Sequence, residues 1–287
     1  MTRNTSAAFK SVLALMLFVP GGALLAQTST AFLPGAGQAD VSVSYVYQGF
    51  RDFKAGTVDG TLPHTLSQNS ILVSGDYGLS NRVAFDLWTG YTRSSLLGSE
   101  GGVSQGAGDT TLGLRFTLYK WEHVTLTGRT DAIIAGSYPL SSLGPFAAGL
   151  GANGFLGSLL IGITGPRGLS FDIENGYKEY GSPVPDYLFD SVTVNQQVFK
   201  RWYYLAGFEE ERAVSGLQLN SPTFVPSQFP QLKETEGDII AGFGFTEGNG
   251  LSYGFNYGHW VHGTNSGKRA IYAFTLGYHL GGHHPHL

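Results

Sequence analysis

The sequence predicts an all-β protein, a closed antiparallel transmembrane β-barrel of about twelve strands with short periplasmic turns and longer extracellular loops. Apolar residues recur with a period of two in segment after segment, and the connections between those segments alternate short and long. After residue 26, no stretch approaches the roughly 20 consecutive apolar residues of a membrane-spanning helix. Composition agrees: of 287 residues, 42 are Gly, 15 Tyr and 19 Phe, while only 13% are charged, about half the share of an ordinary soluble domain.

The N-terminus reads as an export signal. Arg3 and Lys10 precede an apolar run from Val12 to Ala26, which Pro20, Gly21 and Gly22 interrupt, and Ala26 offers a small residue for cleavage. Residues 1–26 are expected as a signal peptide, 27–40 as a short periplasmic N-terminal segment, 41–280 as the barrel and 281–287 as a His-rich tail. The chain has no Cys, which excludes a disulfide framework, an iron–sulfur cluster, a thiolate zinc site and a cysteine nucleophile. A formal charge of -4 provides no basic field for a phosphate backbone, so nucleic acid is not an expected partner.

Strand by strand, the alternation begins at Val41, where Val43, Tyr45 and Tyr47 share its face against Ser42, Ser44 and Gln48. Ile71, Val73 and Tyr77 then oppose Ser70, Ser74 and Asp76, and after a tight connection Val83, Phe85, Leu87 and Tyr91 oppose Arg82 and Asp86. Leu112, Leu114 and Phe116 oppose Gly113 and Arg115, and Val124, Leu126 and Ile134 oppose Arg129 and Asp131. The stretch from Phe155 to Ile163 is apolar with poor alternation, the least regular of the set. Phe171, Ile173 and Tyr177 oppose Asp172, Glu174 and Lys178; Val192 and Val194 oppose Asn195; Trp202, Tyr204 and Phe208 oppose Glu209 and Glu211. Ile239, Phe243 and Phe245 oppose Asp238, and the last two strands run from Leu251 to Tyr257 and from Ala270 to Leu280.

Long connections are expected at 49–67, 93–107, 137–153, 180–186, 212–236 and 261–269, and short ones at 78–81, 119–123, 164–168, 198–201 and 246–250. An even strand count places both chain ends on the short, periplasmic side. A soluble sandwich would carry many Lys and Glu on its solvent faces, whereas the polar faces here are rich in Ser, Thr, Gly and Asn. The apolar faces therefore meet lipid, and Tyr47, Tyr91, Trp202, Tyr257 and Tyr278 fall where interfacial girdles are expected.

With the apolar faces outward, the lumen receives Arg82, Asp86, Arg115, Arg129, Asp131, Asp172, Glu174, Lys178, Asn195, Glu209, Glu211, Asp238 and Asn256. These are the candidate residues of a transport path. Mixed signs in a confined interior can pair across strands and stiffen the wall, and the same groups can narrow a hole and select solutes. The lumen glycines Gly113, Gly207, Gly242 and Gly244 mark either curvature or free space.

Four pieces carry a family likeness: YGLSNRVAFDLWTGY from Tyr77, QGAGDTTLGLRFTLY from Gln105, NGYKEYGSPVPD from Asn175 and YGHWVHGTNSG from Tyr257. With the strand spacing, they make most of the mature chain resemble the outer-membrane family of MetA-pathway phenol-degradation proteins. The resemblance implies a barrel in the Gram-negative cell outer membrane that passes small molecules, aromatic or hydrophobic ones among them, by passive uptake. Its implied partners are outer-membrane lipid, lipopolysaccharide and small-molecule solutes. No cofactor and no metal are expected, and the sequence leaves the oligomeric state open.

Two other functions compete with the channel. A lipid hydrolase would need a His and a Ser on the outer surface, and His259, His262, Asn265 and Ser266 lie close together, but without a compact His-x-Ser spacing. No enzyme is expected. A structural or adhesion barrel would use the loops at 93–107 and 212–236, which are poor in the aromatic and Arg anchors of binding hot spots. His279, His283, His284 and His286 are potential ligands for a transition metal, more often adventitious in a terminal tail.

Overall fold

The structure, a computed structural model, describes residues 30–96, 103–137 and 149–281. The segment 1–26 and the tail histidines His283, His284 and His286 lie outside the described residues. The period-two segments become strands β1 (Ala39–Ala55), β2 (Val58–Ser80), β3 (Val83–Leu96), β4 (Val103–Ala107), β5 (Thr110–Trp121), β6 (Val124–Ile134) and β7 (Gly154–Thr164). They continue as β8 (Leu169–Tyr180), β9 (Tyr187–Val198), β10 (Trp202–Ala213), β11 (Thr235–Thr246), β12 (Leu251–Thr264) and β13 (Ala270–Leu280). Each pairs antiparallel with its neighbours, and the wall closes where β1 meets β13, with Ala39 opposite Leu280 and Gly49 opposite Ala270. Twelve strands make the closed wall, and β4 is an extra strand that pairs with β3. Closure gives each of the twelve wall strands a partner on both sides, as hydrocarbon demands of any sheet that crosses it.

Side-chain alternation then sorts the residues. Leu114 and Phe116 are 40% and 36% exposed on the outer wall, while Arg115 between them is 3% exposed and turned inward. A one-residue slip would exchange these faces, so the three residues fix the register. Rings from adjacent strands touch across the outer surface, Phe243 with Phe255 and Phe255 with Phe274. Nearer the rims, Tyr91, Trp202, Tyr257 and Tyr278 are exposed on the same face.

The wall is taller on one side than its alternation suggests. Residues 49–67, expected as a loop, are the upper half of the β1–β2 hairpin, which turns at Gly56 with a φ of 60°. Between the pairs Phe50–Leu66 and Asp52–Thr61 the register shifts, leaving Arg51 opposite a segment that contains Pro63. Proline has no N–H for the ladder, and the hairpin breaks its pairing there. Above the break it turns to the β12–β13 connection: Lys54 N–H donates to the Ser266 carbonyl at 2.8 Å, and Lys268 N–H to the Asp52 carbonyl at 2.8 Å. The expected loop 93–107 likewise holds the end of β3 and all of β4.

The segment expected at 27–40 as a periplasmic lead is described from Thr30, and residues 30–38 fold back into the barrel from the short-turn side. Their presence explains β7. Its outward side chains Phe155, Leu159 and Ile161 are exposed, but Leu160 on the inward face is fully buried, and a Cβ at inward Gly162 would stand 2.8 Å from Ala31 Cβ and 2.7 Å from the Phe32 ring. A strand covered by lipid on one face and by apolar chain on the other has no polar side, so alternation fades.

The outer face of β5 makes a direct test. Leu114→Arg places a charge against hydrocarbon and is expected to cost roughly 2–4 kcal/mol of folding free energy. Denaturant titration of the protein refolded in phospholipid vesicles measures it, and an unchanged midpoint would remove Leu114 from the lipid face.

Candidate functional site: the barrel lumen

The N-terminal segment and the side chains of the wall fill part of the lumen, and a chamber remains beyond them. At the periplasmic end, Gly37 N–H donates to the Gly78 carbonyl at 2.7 Å and Gly78 N–H to the Gln38 carbonyl at 2.9 Å. Only glycine suits position 78, because a Cβ there would stand 2.1 Å from the Gly35 carbonyl oxygen. Deeper in, the segment has no strand partner and is held by side chains. Thr30 Oγ1 and Ala31 N–H both donate to Asp172, at 3.0 and 2.8 Å; Arg115 Nη1 donates to the Thr30 carbonyl at 2.6 Å and Thr127 Oγ1 to the Ala31 carbonyl at 2.7 Å. Arg115 in turn is gripped by both oxygens of Asp86, at 2.7 and 2.9 Å, and by Asp76 at 3.0 Å. A planar guanidinium with five donors meets these four oxygens at once, one more than the three donors of a lysine could serve.

Beside this cluster, with Arg129 directly opposite Arg115 across β5 and β6, runs an ionic girder between β6 and β8. Arg129 meets Asp131 at 2.5 Å and Glu174 at 3.4 Å, and Ser158 Oγ donates to Glu174 at 2.6 Å. Asp131 lies flat over Gly113, where a Cβ would fall 1.8 Å from its carboxylate oxygen. Gly244 makes the same allowance for the Tyr203 ring, at 2.1 Å. These glycines leave no open path; neighbouring side chains occupy the space they vacate.

Above the girder opens a chamber of about 830 Å³. Arg129 and Glu174 belong to its lining and no residue of the N-terminal segment does. Part of its lining is apolar, with Phe50, Phe53 and Leu66 from the hairpin and Leu219, Phe229 and Leu232 from the connection between β10 and β11. The rest is charged, with Lys178 paired with Glu211 at 2.7 Å and Arg269 paired with Glu236 and Asp238 at 2.6 and 2.7 Å. Glu234, in the connection just before β11, also lines it, and burial together with the neighbouring Glu236 pushes its carboxyl well above the ordinary carboxylate range.

A single asparagine ties the chamber's roof. Asn265, at a φ of 55° and 3% exposed, accepts at Oδ1 from Gly56 N–H (2.7 Å) and Leu219 N–H (3.0 Å) and donates from Nδ2 to the Lys233 carbonyl (2.8 Å) and Gln218 Oε1 (3.0 Å). Three connections distant in sequence meet on one amide. Asn tolerates the left-handed backbone better than most residues, so the turn and the clasp use the same residue type.

Of the residues expected in the lumen, Asp86, Arg115, Arg129, Asp131, Asp172, Glu174, Lys178, Glu209, Glu211 and Asp238 lie on the inner wall, buried or half-buried. Asn195 shares the inward face of β9 with buried Thr193, and Asn256 lies over Gly242 on the inner face of β12. Arg82 is placed differently. It has the inward parity of Asp86 but lies in the turn between β2 and β3, one residue beyond the wall, and is exposed. Arg269, Glu234, Glu236 and Thr30 are lumen residues that the strand alternation above does not include, whereas Thr127 shares the polar face of Arg129 and Asp131. Extending the alternation of Ile271 and Ala273 back by one step finds Arg269, and that of Asp238 finds Glu236; nothing local signals Thr30.

The hydrolase candidates are not brought together. His259 is exposed on the outer wall, its ring stacked on Tyr257, whereas Ser266 is buried and its hydroxyl accepts from Trp260 Nε1 at 3.1 Å. His279 Nδ1 meets Asp40 at 2.8 Å. Among the described residues no group of three His, Cys, Asp or Glu is arranged to hold a metal.

No family model matches the chain, and no curated protein matches it in sequence, so the MetA-pathway resemblance rests on its motifs. Solved structures do match. An outer membrane channel from Pseudomonas putida F1 superposes with a TM-score of 0.72 at 13% identity, over 88% of this chain and 99% of that one. The chain has the fold of an outer-membrane channel. The translocator domain of the autotransporter NalP from Neisseria meningitidis is more distant, with a TM-score of 0.52 at 14% identity over 97% of this chain and 98% of that one. At these identities the likeness is one of fold.

The roof clasp is testable from outside. Asn265→Ala leaves buried groups unsatisfied, at about 1–3 kcal/mol each, and is expected to speed protease cleavage within 213–235 at least about ten-fold while the barrel stays folded. Asn265→Gly keeps the backbone freedom and loses the amide. It should open the roof equally, and an intact roof in that variant would assign the clasp to backbone conformation instead.

Proposed function

We propose that this protein is a passive channel for small molecules across the Gram-negative outer membrane, entered through the chamber and gated by the N-terminal segment. The carrying observation is the contrast between wall and filling. The wall is a continuous ladder that closes on itself, whereas residues 30–32 are held within it by a few side-chain hydrogen bonds. Such bonds contribute about 0.5–3 kcal/mol each, more when charged, so the segment can withdraw without unfolding the barrel.

The chamber supports uptake of molecules with an apolar body, because Phe50, Phe53, Leu219 and Phe229 would cover one face of the solute. A preference for aromatic or hydrophobic solutes is supported by that wall and by the motif resemblance. The inner-wall charges from Arg115 to Asp238 are the transport path of this reading, and cleavage after Ala26 would leave the gating segment at the new N-terminus. Lipid and lipopolysaccharide would contact the outer wall of Tyr, Phe, Val and Leu side chains.

Proteoliposome swelling with small neutral solutes and single-channel recording test the proposal. Gly78→Ala sets a Cβ against the Gly35 carbonyl, and Arg115→Ala removes the donor to Thr30; each is expected to raise conductance several-fold over the unmodified protein. Failure of either variant to conduct, with the barrel folded, would mean that the lumen is closed by more than this segment and would sink the channel reading.

A further inference from the structure

The chamber's charges are not balanced in kind. Each cation that lines it is already engaged by carboxylates: Lys178 by Glu211, Arg269 by Glu236 and Asp238, and Arg129 by Glu174 and Asp131. An anionic solute would find no positive group that is not already paired, and it would have to displace a buried ion pair to gain one. The carboxyls, by contrast, exceed the partners available. Glu234 stands beside Glu236, an acid next to an acid, and both line the chamber together with Glu209, Glu210 and Glu211, against the three cations. A neutral carboxyl is the resting solution to this crowding, and burial of Glu234 beside Glu236 favours the proton being retained.

The acid pair also stands at the border of the apolar wall. Leu232 is part of that wall and Glu234 follows two residues later, so a guest lying against Phe53, Leu219 and Phe229 would bring its end group to the carboxyls. We propose that the chamber is a binding site for small amphiphilic cations, molecules with one ammonium or amidinium group on an aromatic or aliphatic body, and that the Glu234–Glu236 pair receives the charge. The guest's charge takes the place of the proton that burial retains on Glu234, and its body packs against the apolar side chains. The inference rests on the channel reading only for access to the chamber.

Calorimetry on the full chain refolded in detergent, with three probes of matched body, tests it: 2-phenylethylamine, 2-phenylethanol and 3-phenylpropionate. The amine, charged at neutral pH, is expected to bind at least ten-fold more tightly than the alcohol, with the carboxylate weakest. Glu234→Gln combined with Glu236→Gln should reduce amine affinity to that of the alcohol and leave the alcohol unchanged. Lys178→Gln, which releases Glu211 from its partner, should widen the amine preference and serves if the double variant does not fold. Equal affinity for amine and alcohol, or a preference that survives the double variant, would overturn the proposal. Neutral-solute flux without amine preference defeats this inference and spares the channel, whereas amine preference without flux spares this inference and defeats the channel.

Discussion

Every other feature depends on the ladder between β1 and β13. In hydrocarbon an unpaired backbone amide costs several kcal/mol, so a membrane sheet either closes or does not persist. Pairing Ala39 with Leu280 joins the two ends of the strand series and defines an inside. From that point the two faces of each strand obey different chemistry. Leu114 and Phe116 are at home outside because lipid is apolar, and Arg115 can be ionised between them only because the inside supplies Asp86, Asp76 and the Thr30 carbonyl.

The inside is organised by satisfaction of charge. Arg115, Arg129 and Arg269 each centre a cluster of carboxylates: the first holds the N-terminal segment, the second forms the girder and the third belongs to the chamber's charged lining. Breaking one partner of such a buried cluster leaves a charge stranded, which costs more than the pair itself contributes. The glycines opposite Asp131 and Tyr203 belong to the same economy of space, since they let long side chains lie along the wall instead of across the lumen.

The wall was legible in the sequence because alternation is a local property. Val41, Val43 and Tyr45 declare their shared face within five residues, and the short turns declare the ends of the strands. Arg82 shows where that rule stops, since parity says which face a residue would take but not whether the strand has already ended. The upper half of the first hairpin was not legible: Gly49, Gly56, Gly60 and Pro63 read as loop, and what orders that half is pairing with Ser266 and Lys268, some 200 residues on. The lumen segment was hidden for the same reason. Its anchors Arg115 and Asp172 are 85 and 142 residues from Thr30, and no periodicity encodes a contact of that range. The poor alternation of β7 was its only local trace, the shadow of Ala31 and Phe32 on a strand with no polar face.

The segment inside the barrel runs directly into Ala39, the first residue of the closing ladder, and is therefore moored to the rim it blocks. A leash of this kind holds a released segment at an effective concentration in roughly the millimolar range or above. Return is then a unimolecular event, independent of how much protein the membrane contains. Under the proposed gating, contacts too weak to retain a free peptide would suffice to keep the barrel shut, and a modest competing interaction would suffice to open it. Thr30 and Ala31 need to be held only loosely because Ala39 never lets them go far.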